Sequence, residues 1–529
     1  MLHHLFIPDL LKRAVTNYPE KIAVIEDDTR LTYKQFQERV NRLSNLLISM
    51  GVQKGDRVAY LAPNTLQMLE GFYGVMQIGA IMVPFNTRLI PSDYAYMINH
   101  SGAKVVMADA ELAHLIEAVK DELPDVKRFV LLPYEKETER EGWEAYDSLL
   151  ASAFPAIPDI PVMNELDIAT ILYTSGTTGR PKGVMHSHRS LYFNALNTII
   201  HLRVSDRDTL LHTLPLFHVN GWGTPFSFTG MGATHVMLRK IDPPKIFDLI
   251  EKEKVTVACM APTVLNMLLN GSKSKGAKVA HDVRVVIAGS APPPSFIKLV
   301  EEELGFEFIQ VYGMTEAAPF LTVSHIKPHL NQETESVHRL KTKAGIGMIN
   351  IEVKVINENG ELVKANGKEI GEVIARGNSI MEGYWKQPEE TAKSMLNGWY
   401  YTGDMATIDE EGYVEIVDRK KDIIISGGEN ISTIEVEGVL YKHPAILEAS
   451  VIAIPHEKWG ELPHAICVIK EGYSLTEEEL ITFCRENLSH FKAPKSVQFV
   501  SELPKTASGK IKKNELREPF WKDKERMVN

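Results

Sequence analysis

Short apolar runs alternate with amphipathic stretches along the first two thirds of the chain. In Tyr33–Met50, the apolar residues Phe36, Val40, Leu43 and Leu47 recur on one face of a predicted helix. The apolar runs are short and bounded by turn residues, which is typical of strands. Strands that alternate with helices favour α/β layers with mainly parallel strands. The predicted strands are KIAVIEDD, Arg57–Ala62, Lys104–Ala108, Arg128–Leu132, Ala169–Tyr173, Val283–Ala288 and Phe308–Tyr312, and a second helix is predicted at Pro243–Glu253.

The pattern changes after residue 344, where short strands such as Val353–Ile356 and Gly371–Ala375 are separated by turn signals. This pattern of short strands and turns indicates an antiparallel β unit. From Ile423 to about Arg517 strands and helices alternate again, over a length sufficient for a domain of about 100 residues.

The length of 529 residues exceeds the roughly 250–300 residues that one hydrophobic core supports. We therefore predict a large N-terminal domain, 1–419, made of two α/β layers plus the β unit. A small α+β C-terminal domain, 420–529, is predicted to follow it.

Charge and cysteine content narrow the class of protein. The chain has 58 Lys and Arg against 69 Asp and Glu, a net charge of −11, which argues against nucleic acid or an anionic membrane as partner. Three widely spaced cysteines without a CxxC pair suggest neither disulfides nor zinc and fit the cytoplasm. The most apolar window, Met68–Phe85, contains Glu70 and Gln77 and predicts a buried helix and strand rather than a transmembrane segment. The chain ends in MVN rather than SKL, so we expect no peroxisomal targeting signal at the C-terminus.

The segment Tyr173–Gly183, YTSGTTGRPKG, follows a predicted strand and concentrates groups that bind anions. Backbone N–H groups at closely spaced glycines, side-chain hydroxyls and one ammonium group can together hold a polyphosphate. The spacing differs from GxxxxGK[ST], so this is not the loop of P-loop NTPases. From composition alone an ordinary polar surface loop remains an alternative. The candidate phosphate-binding residues are Thr174, Ser175, Gly176, Thr177, Thr178, Gly179 and Lys182.

This segment resembles the phosphate-binding loop of the adenylate-forming (ANL) superfamily, which contains acyl-CoA synthetases, luciferases and peptide-synthetase adenylation domains. Further matches follow in the order that the family has along nearly the whole chain, which makes chance an inadequate explanation. These matches are FHVNGW at 217–222, AGSAP at 288–292, YGMTE at 312–316, YTGD at 401–404, DRKKD at 418–422, SGGEN at 426–430 and PKTASGK at 504–510.

The resemblance implies a site for ATP and Mg²⁺. Glu316 and Thr174 would hold Mg²⁺, and Asp404 would accept hydrogen bonds from the ribose hydroxyls. Arg419 would join the ribose or phosphate contacts, with a salt bridge at the hinge as its alternative. Lys510 would bridge the substrate carboxylate and the α-phosphate and offset their repulsion. The residues implied around the adenine and the start of the acyl channel are Gly289, Ser290, Ala291, Gln310, Val311, Tyr312, Gly313, Met314 and Thr315.

The resemblance also implies a second half-reaction, in which coenzyme A attacks the acyl-AMP after the small domain rotates about a hinge at Lys421. Residues Ser426, Gly427, Gly428 and Glu429 would then line the pantetheine channel, although a simple tight turn is the alternative for the two glycines.

Four residues bear on the acid. His218 stands where amino-acid-activating relatives carry Asp, which disfavours an amino acid. Trp222 is expected at the mouth of the acyl channel, with the plain core as its alternative. Gly313 is expected to leave room for a longer acyl chain, whereas Val311 would narrow the pocket. We expect medium- to long-chain fatty acids, with short, branched or aryl acids as alternatives.

The sequence thus predicts a carboxylic acid–CoA ligase that forms acyl-AMP and pyrophosphate and then the thioester. An acyl-AMP ligase that loads a carrier protein is disfavoured by the short Asp404–Asp418 stretch. A luciferase-like oxidoreductase would share every adenylation motif. A non-catalytic acyl or nucleotide sensor is disfavoured because Lys510, Glu316 and Asp404 are all present. A homodimer is expected only from similar fatty-acyl enzymes.

Overall fold

A computed structural model of the chain describes residues 4–135, 137–174, 180–272, 279–288, 293–330, 334–426, 429–506 and 511–522. The strands are β1 (Ile22–Glu26), β2 (Thr29–Thr32), β3 (Arg57–Leu61), β4 (Ile81–Pro84), β5 (Ala103–Asp109), β6 (Arg128–Leu132), β7 (Glu144–Ala145), β8 (Ile168–Thr174), β9 (Lys182–Ser187), β10 (Thr209–His212), β11 (Thr234–Met237), β12 (Val257–Met260), β13 (Val283–Ile287), β14 (Phe306–Gly313), β15 (Phe320–Val323), β16 (Ile346–Gly347), β17 (Ile351–Ile356), β18 (Gly371–Gly377), β19 (Gly383–Tyr384), β20 (Met395–Leu396), β21 (Trp399–Ile408), β22 (Val414–Arg419), β23 (Ile424–Ser426), β24 (Glu429–Ile431), β25 (Ile446–His456), β26 (Gly460–Ile469) and β27 (Ser496–Phe499).

The helices are α1 (Ile7–Asn17), α2 (Tyr33–Ser49), α3 (Leu66–Gln77), α4 (Pro91–Ser101), α5 (Ala113–Glu117), α6 (Tyr146–Ser152), α7 (His188–His201), α8 (Val219–Trp222), α9 (Thr224–Met231), α10 (Pro243–Lys252), α11 (Pro262–Ser272), α12 (Pro294–Leu299), α13 (Thr334–Lys341), α14 (Pro388–Ser394), α15 (Thr433–Leu440), α16 (Glu477–Asn487) and α17 (Lys513–Trp521).

Helix α2 shows why the predicted elements form where they do. A capping box between Thr32 and Gln35 starts the helix by pairing backbone N–H groups that would otherwise lack partners. Phe36, Val40 and Leu43 are then fully or almost fully buried on one face. Each predicted strand likewise coincides with an observed one to within about two residues, and the window at 68–85 forms α3 and β4.

Two large sheets carry most of the chain. In the described residues, nine strands form the first sheet in the order β16-β15-β14-β13-β12-β10-β11-β1-β2, and eight form the second in the order β19-β9-β8-β4-β3-β5-β6-β7. The interior strands are parallel, as in β12-β13-β14 and β4-β3-β5. Antiparallel pairs occur toward the edges, as in β14-β15 and β8-β9. The predicted α/β class with mainly parallel strands is confirmed.

Two smaller sheets follow. Strands β17, β18, β21 and β20 pair in that order, with β22 on β21, and their pairs are antiparallel as predicted for the β unit. The last sheet has the order β24-β23-β26-β25, with β27 on β26, and packs its own core against α15 and α16. In the part of the chain that the structure describes, no helix is both long and apolar enough to cross a membrane.

One hydrophobic cluster joins the two large sheets and the β unit. It contains Leu172 of β8, Val184 of β9, Val311 of β14 and Tyr400 of β21. The carboxyl ends of β8 and β14 therefore come together at this cluster, which is the kind of place where α/β proteins bind ligands.

Candidate active site

The predicted phosphate-binding segment joins the two antiparallel strands of a β-hairpin, β8 and β9. Strands β8 and β9 pair through Tyr173 with Gly183 and through Thr174 with Lys182, so the two predicted phosphate ligands at the ends of the loop are cross-strand partners. Backbone pairing thus fixes Thr174 and Lys182 side by side on one edge of the second sheet.

A buried histidine connects this hairpin to the YGMTE segment. His186 of β9 hydrogen-bonds through Nε2 to the carbonyl oxygen of Thr315 at 2.7 Å. Burial lowers the pKa of His186 to about 4, so the imidazole is neutral and Nε2 carries the proton that it donates. The turn Thr315–Ala317, which carries Glu316, is thereby fixed to the strand that follows the phosphate loop.

Glu316 is held from two directions by the segment around β19. The Tyr384 hydroxyl donates to Glu316 Oε1 at 2.9 Å, and the Met381 N–H donates to the Glu316 carbonyl oxygen at 2.8 Å. Burial raises the pKa of the Glu316 carboxyl, and the Tyr384 hydrogen bond opposes this rise. The described residues contain no cluster of three His, Cys, Asp or Glu side chains that could hold a metal ion. A carboxylate together with a threonine hydroxyl suits Mg²⁺, which keeps several waters and binds substrate phosphates.

Lys182 has two partners that the sequence did not indicate. Its ammonium lies 2.5 Å from Glu390 Oε2, a residue of α14, and 5.1 Å from the centre of the Tyr384 ring. Only 15% of the Lys182 side chain is exposed. Tyr384 therefore lies between Lys182 and Glu316: its ring contacts Lys182, and its hydroxyl binds Glu316. Both new residues come from a segment that reaches the hairpin because β19 pairs with β9.

Asp404 lies on β21 opposite Arg419 of β22. Its Oδ2 accepts a hydrogen bond from the Tyr312 hydroxyl at 2.8 Å, and Arg419 Nε is 3.8 Å from Oδ1. Burial raises the pKa of Tyr312, so its hydroxyl stays protonated and donates. Arg419 is 52% exposed and forms a long ion pair, which matches its salt-bridge alternative while leaving its guanidinium accessible.

The residues on either side of the predicted hinge are tied to the last domain. Asp418 Oδ2 accepts hydrogen bonds from the N–H and the hydroxyl of Thr433, each at 2.6 Å. Arg517 of α17 donates to the Lys421 carbonyl oxygen at 3.0 Å and forms an ion pair with Asp422 at 2.7 Å. Burial lowers the pKa of Lys421. Farther along, β23 and β24 pair through Ser426 and Glu429.

Several predicted site residues lie outside the described part of the chain. They are Ser175, Gly176, Thr177, Thr178, Gly179, Gly289, Ser290, Ala291, Gly427, Gly428 and Lys510. The predicted adenine-side residues that are described form one continuous stretch: Gln310 to Gly313 belong to β14, and Met314 and Thr315 follow directly.

The structure gives a second, structural reason for glycine at position 313. A Cβ atom at this position would lie 1.9 Å from the carbonyl oxygen of Pro319, a backbone atom. The close approach of β14 to the chain at 319 therefore requires glycine here, and the expected room for the acyl chain stays a prediction.

Trp222 and Val311 belong to the hydrophobic cluster between the sheets. Val311 is fully buried, and Trp222 is 6% exposed with its ring edge-on to Phe320 at 5.6 Å between centroids. This placement corresponds to the core alternative for Trp222. His218 immediately precedes α8, whose residues have left-handed backbone angles: φ is +49° at Val219 and +61° at Trp222. Such angles cost energy in a β-branched or bulky residue and are typically found at functional sites.

Comparison with known proteins identifies relatives along almost the whole chain. The AMP-binding enzyme family matches residues 11–385, and the AMP-binding enzyme C-terminal domain matches residues 435–510. A 4-hydroxybutyrate–CoA ligase of Metallosphaera sedula is 39% identical over 96% of this chain and 93% of its own length. A peroxisomal butyrate–CoA ligase of Arabidopsis thaliana is 40% identical over 96% and 92%. The crystal structure of an anthranilate CoA ligase with anthranoyl-AMP superposes with a TM-score of 0.88 at 26% identity, covering 98% of both chains.

Proposed function

Since the chain belongs to the AMP-binding enzyme family and is an ATP-dependent, AMP-forming acid–CoA ligase, we propose that its acid substrate is a short or branched carboxylic acid of about four to six carbons. The medium- to long-chain expectation is thereby set aside in favour of one of its alternatives. The proposal rests on a single structural observation, the filled core at Val311 and Trp222, and on the acids that name the two relatives.

Packing around Val311 and Trp222 favours a short acyl chain. Val311, Trp222 and Phe320 pack in one cluster at the end of the stretch that would contact the acyl group. Each additional buried methylene in a ligand needs room that such a cluster provides only by repacking, at a cost of about 1–3 kcal/mol. A chain of a few carbons avoids most of this cost.

The first half-reaction joins the acid carboxylate to the α-phosphorus of ATP and releases pyrophosphate. We assign Asp404 to the ribose hydroxyls, because an ionised carboxylate accepts from both. Lys182 and the hydroxyls of its loop would offset the phosphate charge, and Glu316 with Thr174 would hold Mg²⁺, which supplies further counter-charge. Lys510 would contact the substrate carboxylate and the α-phosphate. Each of these residues positions or neutralises an anion, which is what this chemistry requires.

The second half-reaction forms the thioester with coenzyme A. We place the domain boundary and hinge at 419–421 and assign the pantetheine channel to the segment from Ser426 to Glu429. Two contacts lie at this hinge, the hydrogen bond between Asp418 and Thr433 and the ion pair between Arg517 and Asp422. A rotation of the small domain would either break or preserve each of them.

The chain-length proposal is tested by measuring kcat/KM for CoA thioester formation with straight acids from two to twelve carbons, 2-methylpropanoate and benzoate. We expect a maximum at four to six carbons and a fall of at least tenfold by ten carbons. A maximum at eight or more carbons would restore the fatty-acid expectation. In Trp222→Ala the maximum should move to longer acids, because truncation opens the core.

A second candidate, a short acid that carries a hydroxyl group, is favoured by buried amide side chains on α7 and α8. Asn194 Oδ1, Asn197 Nδ2 and Asn220 Nδ2 have no hydrogen-bond partner within the described residues, although all three side chains are buried. An unpaired buried polar atom costs about 1–3 kcal/mol, which a hydroxyl on the acid would recover. We expect 4-hydroxybutyrate to be preferred over butyrate and Asn220→Ala to abolish that preference; equal selectivity in both proteins would exclude this role.

We also propose a cytoplasmic location and a homodimer. The three cysteines, Cys259, Cys467 and Cys484, are free and buried, which fits a reducing compartment. Fluorescent tagging of the chain and sedimentation of the purified protein test the two proposals.

A further inference from the structure

The ion pair between Lys182 and Glu390 has a consequence for ATP binding. Lys182 is the lysine assigned to the phosphates, yet its ammonium already contacts a carboxylate at 2.5 Å. A triphosphate oxygen and Glu390 Oε2 would therefore compete for the same ammonium group. We propose that Glu390 occupies the phosphate position on Lys182 until ATP displaces it, and returns there when pyrophosphate leaves.

The surroundings of Glu390 allow it to be displaced without being left unpaired. Its other carboxylate oxygen, Oε1, lies 2.7 Å from the ammonium of Lys393, one turn along α14. The two lysines hold the pKa of Glu390 at about 2, with the Lys182 hydrogen bond the larger cause, so the carboxylate is ionised at every physiological pH. When Lys182 turns to a phosphate, Glu390 keeps Lys393 as its partner.

The surroundings of Lys182 also allow its ammonium to exchange Glu390 for a phosphate. Its ammonium lies over the ring of Tyr384, whose hydroxyl is bonded to Glu316. The ring therefore keeps the lysine next to the carboxylate assigned to Mg²⁺ whichever anion the ammonium binds. The exchange needs only a movement of the ammonium end, because β8–β9 pairing fixes the backbone of Lys182.

The experiment measures binding of α,β-methylene-ATP, which cannot release pyrophosphate and transfer AMP to the acid, by isothermal titration calorimetry with Mg²⁺ present. Glu390→Gln removes the competing charge and should tighten the analogue about fivefold, the scale of a partly exposed ion pair. Lys393→Ala leaves Lys182 as the one ion-pair partner of Glu390 among the described residues and should weaken binding of the analogue by about twofold to threefold. Glu389→Gln, on the exposed neighbouring residue, is the matched control and should change nothing.

Two further measurements separate competition from a general structural effect. AMP lacks the β- and γ-phosphates, so its affinity should be the same in all four proteins. In a Lys182→Met background, Glu390→Gln should no longer change affinity for the analogue. The proposal is overturned if Glu390→Gln binds the analogue equally or more weakly, if AMP affinity shifts in parallel, or if the effect persists without Lys182.

The proposal rests on the assignment of Lys182 to the phosphates of ATP, and the titrations distinguish the two. A wild-type protein that binds neither AMP nor the analogue would refute the proposed function itself. Normal nucleotide binding with no response at Glu390 would refute only the competition.

Discussion

Replacing Tyr384 by Phe tests how the candidate metal carboxylate is held. The substitution deletes the hydroxyl that donates to Glu316 Oε1 at 2.9 Å and keeps the ring that lies against Lys182. A hydrogen bond to a charged group contributes about 1.5–3 kcal/mol. Because about 1.4 kcal/mol corresponds to one pKa unit, the pKa of Glu316 should rise by about one to two units above a value that burial already raises.

The direction of the pH shift depends on which protonation state of Glu316 the hydrogen bond stabilises. The Tyr384 hydroxyl favours the ionised carboxylate, and only that form can bind Mg²⁺ well. The acidic limb of the pH profile of kcat/KM for ATP should therefore move to higher pH by about one to two units in Tyr384→Phe. Tyr473→Phe, which alters an exposed tyrosine outside the assigned site residues, serves as the control. An acidic limb that does not move, in an enzyme of normal thermal stability, would refute the argument.

Three other perturbations follow from the structure. Gly313→Ala should lower the free energy of unfolding by about 1–3 kcal/mol, because the new Cβ meets a backbone oxygen at 1.9 Å. Gly438→Ala, which has open space around it in α15, should raise the free energy of unfolding by up to about 1 kcal/mol. Urea titrations measure both changes. Asp404→Asn should reduce kcat/KM for ATP about 10- to 100-fold by removing the ribose acceptor charge, and an unchanged value would exclude that role. The buried, mutually bonded His212 and His235 have lowered pKa values, about 3 for His212, so they are neutral when folded. Stability should be fully present above about pH 6.5 and fall by about 1.4 kcal/mol per pH unit for each histidine below it; a flat profile from pH 7 to 5 would contradict this.

Local signals in the sequence located most of the scaffold. Strand β6 has the predicted bounds, and α2 starts at the predicted residue because its capping box and its apolar face are both local features. Motif order likewise led to Asp404 and Glu316, which the structure places beside Tyr312 and Tyr384.

The partners of the site residues could not be predicted in the same way. Glu390 is 208 residues from Lys182, and the two meet because the two-residue strand β19 pairs with β9. A strand of two residues has no periodicity to detect. The steric constraint on Gly313 could not be predicted for a related reason, since the atom that excludes a side chain there belongs to a carbonyl on the next stretch of chain. Sequence patterns report the propensity of a segment, whereas these contacts depend on which segments pair.

We propose that this chain joins a short acid to CoA through an acyl-AMP, and an assay that measures AMP, pyrophosphate and acyl-CoA at once, with butyrate as the acid, tests this proposal. We predict that each product forms in a 1:1:1 ratio, that turnover requires both acid and CoA, and that ATP–pyrophosphate exchange proceeds with acid alone. Formation of ADP and phosphate, or turnover at the same rate without CoA, would contradict the proposed reaction.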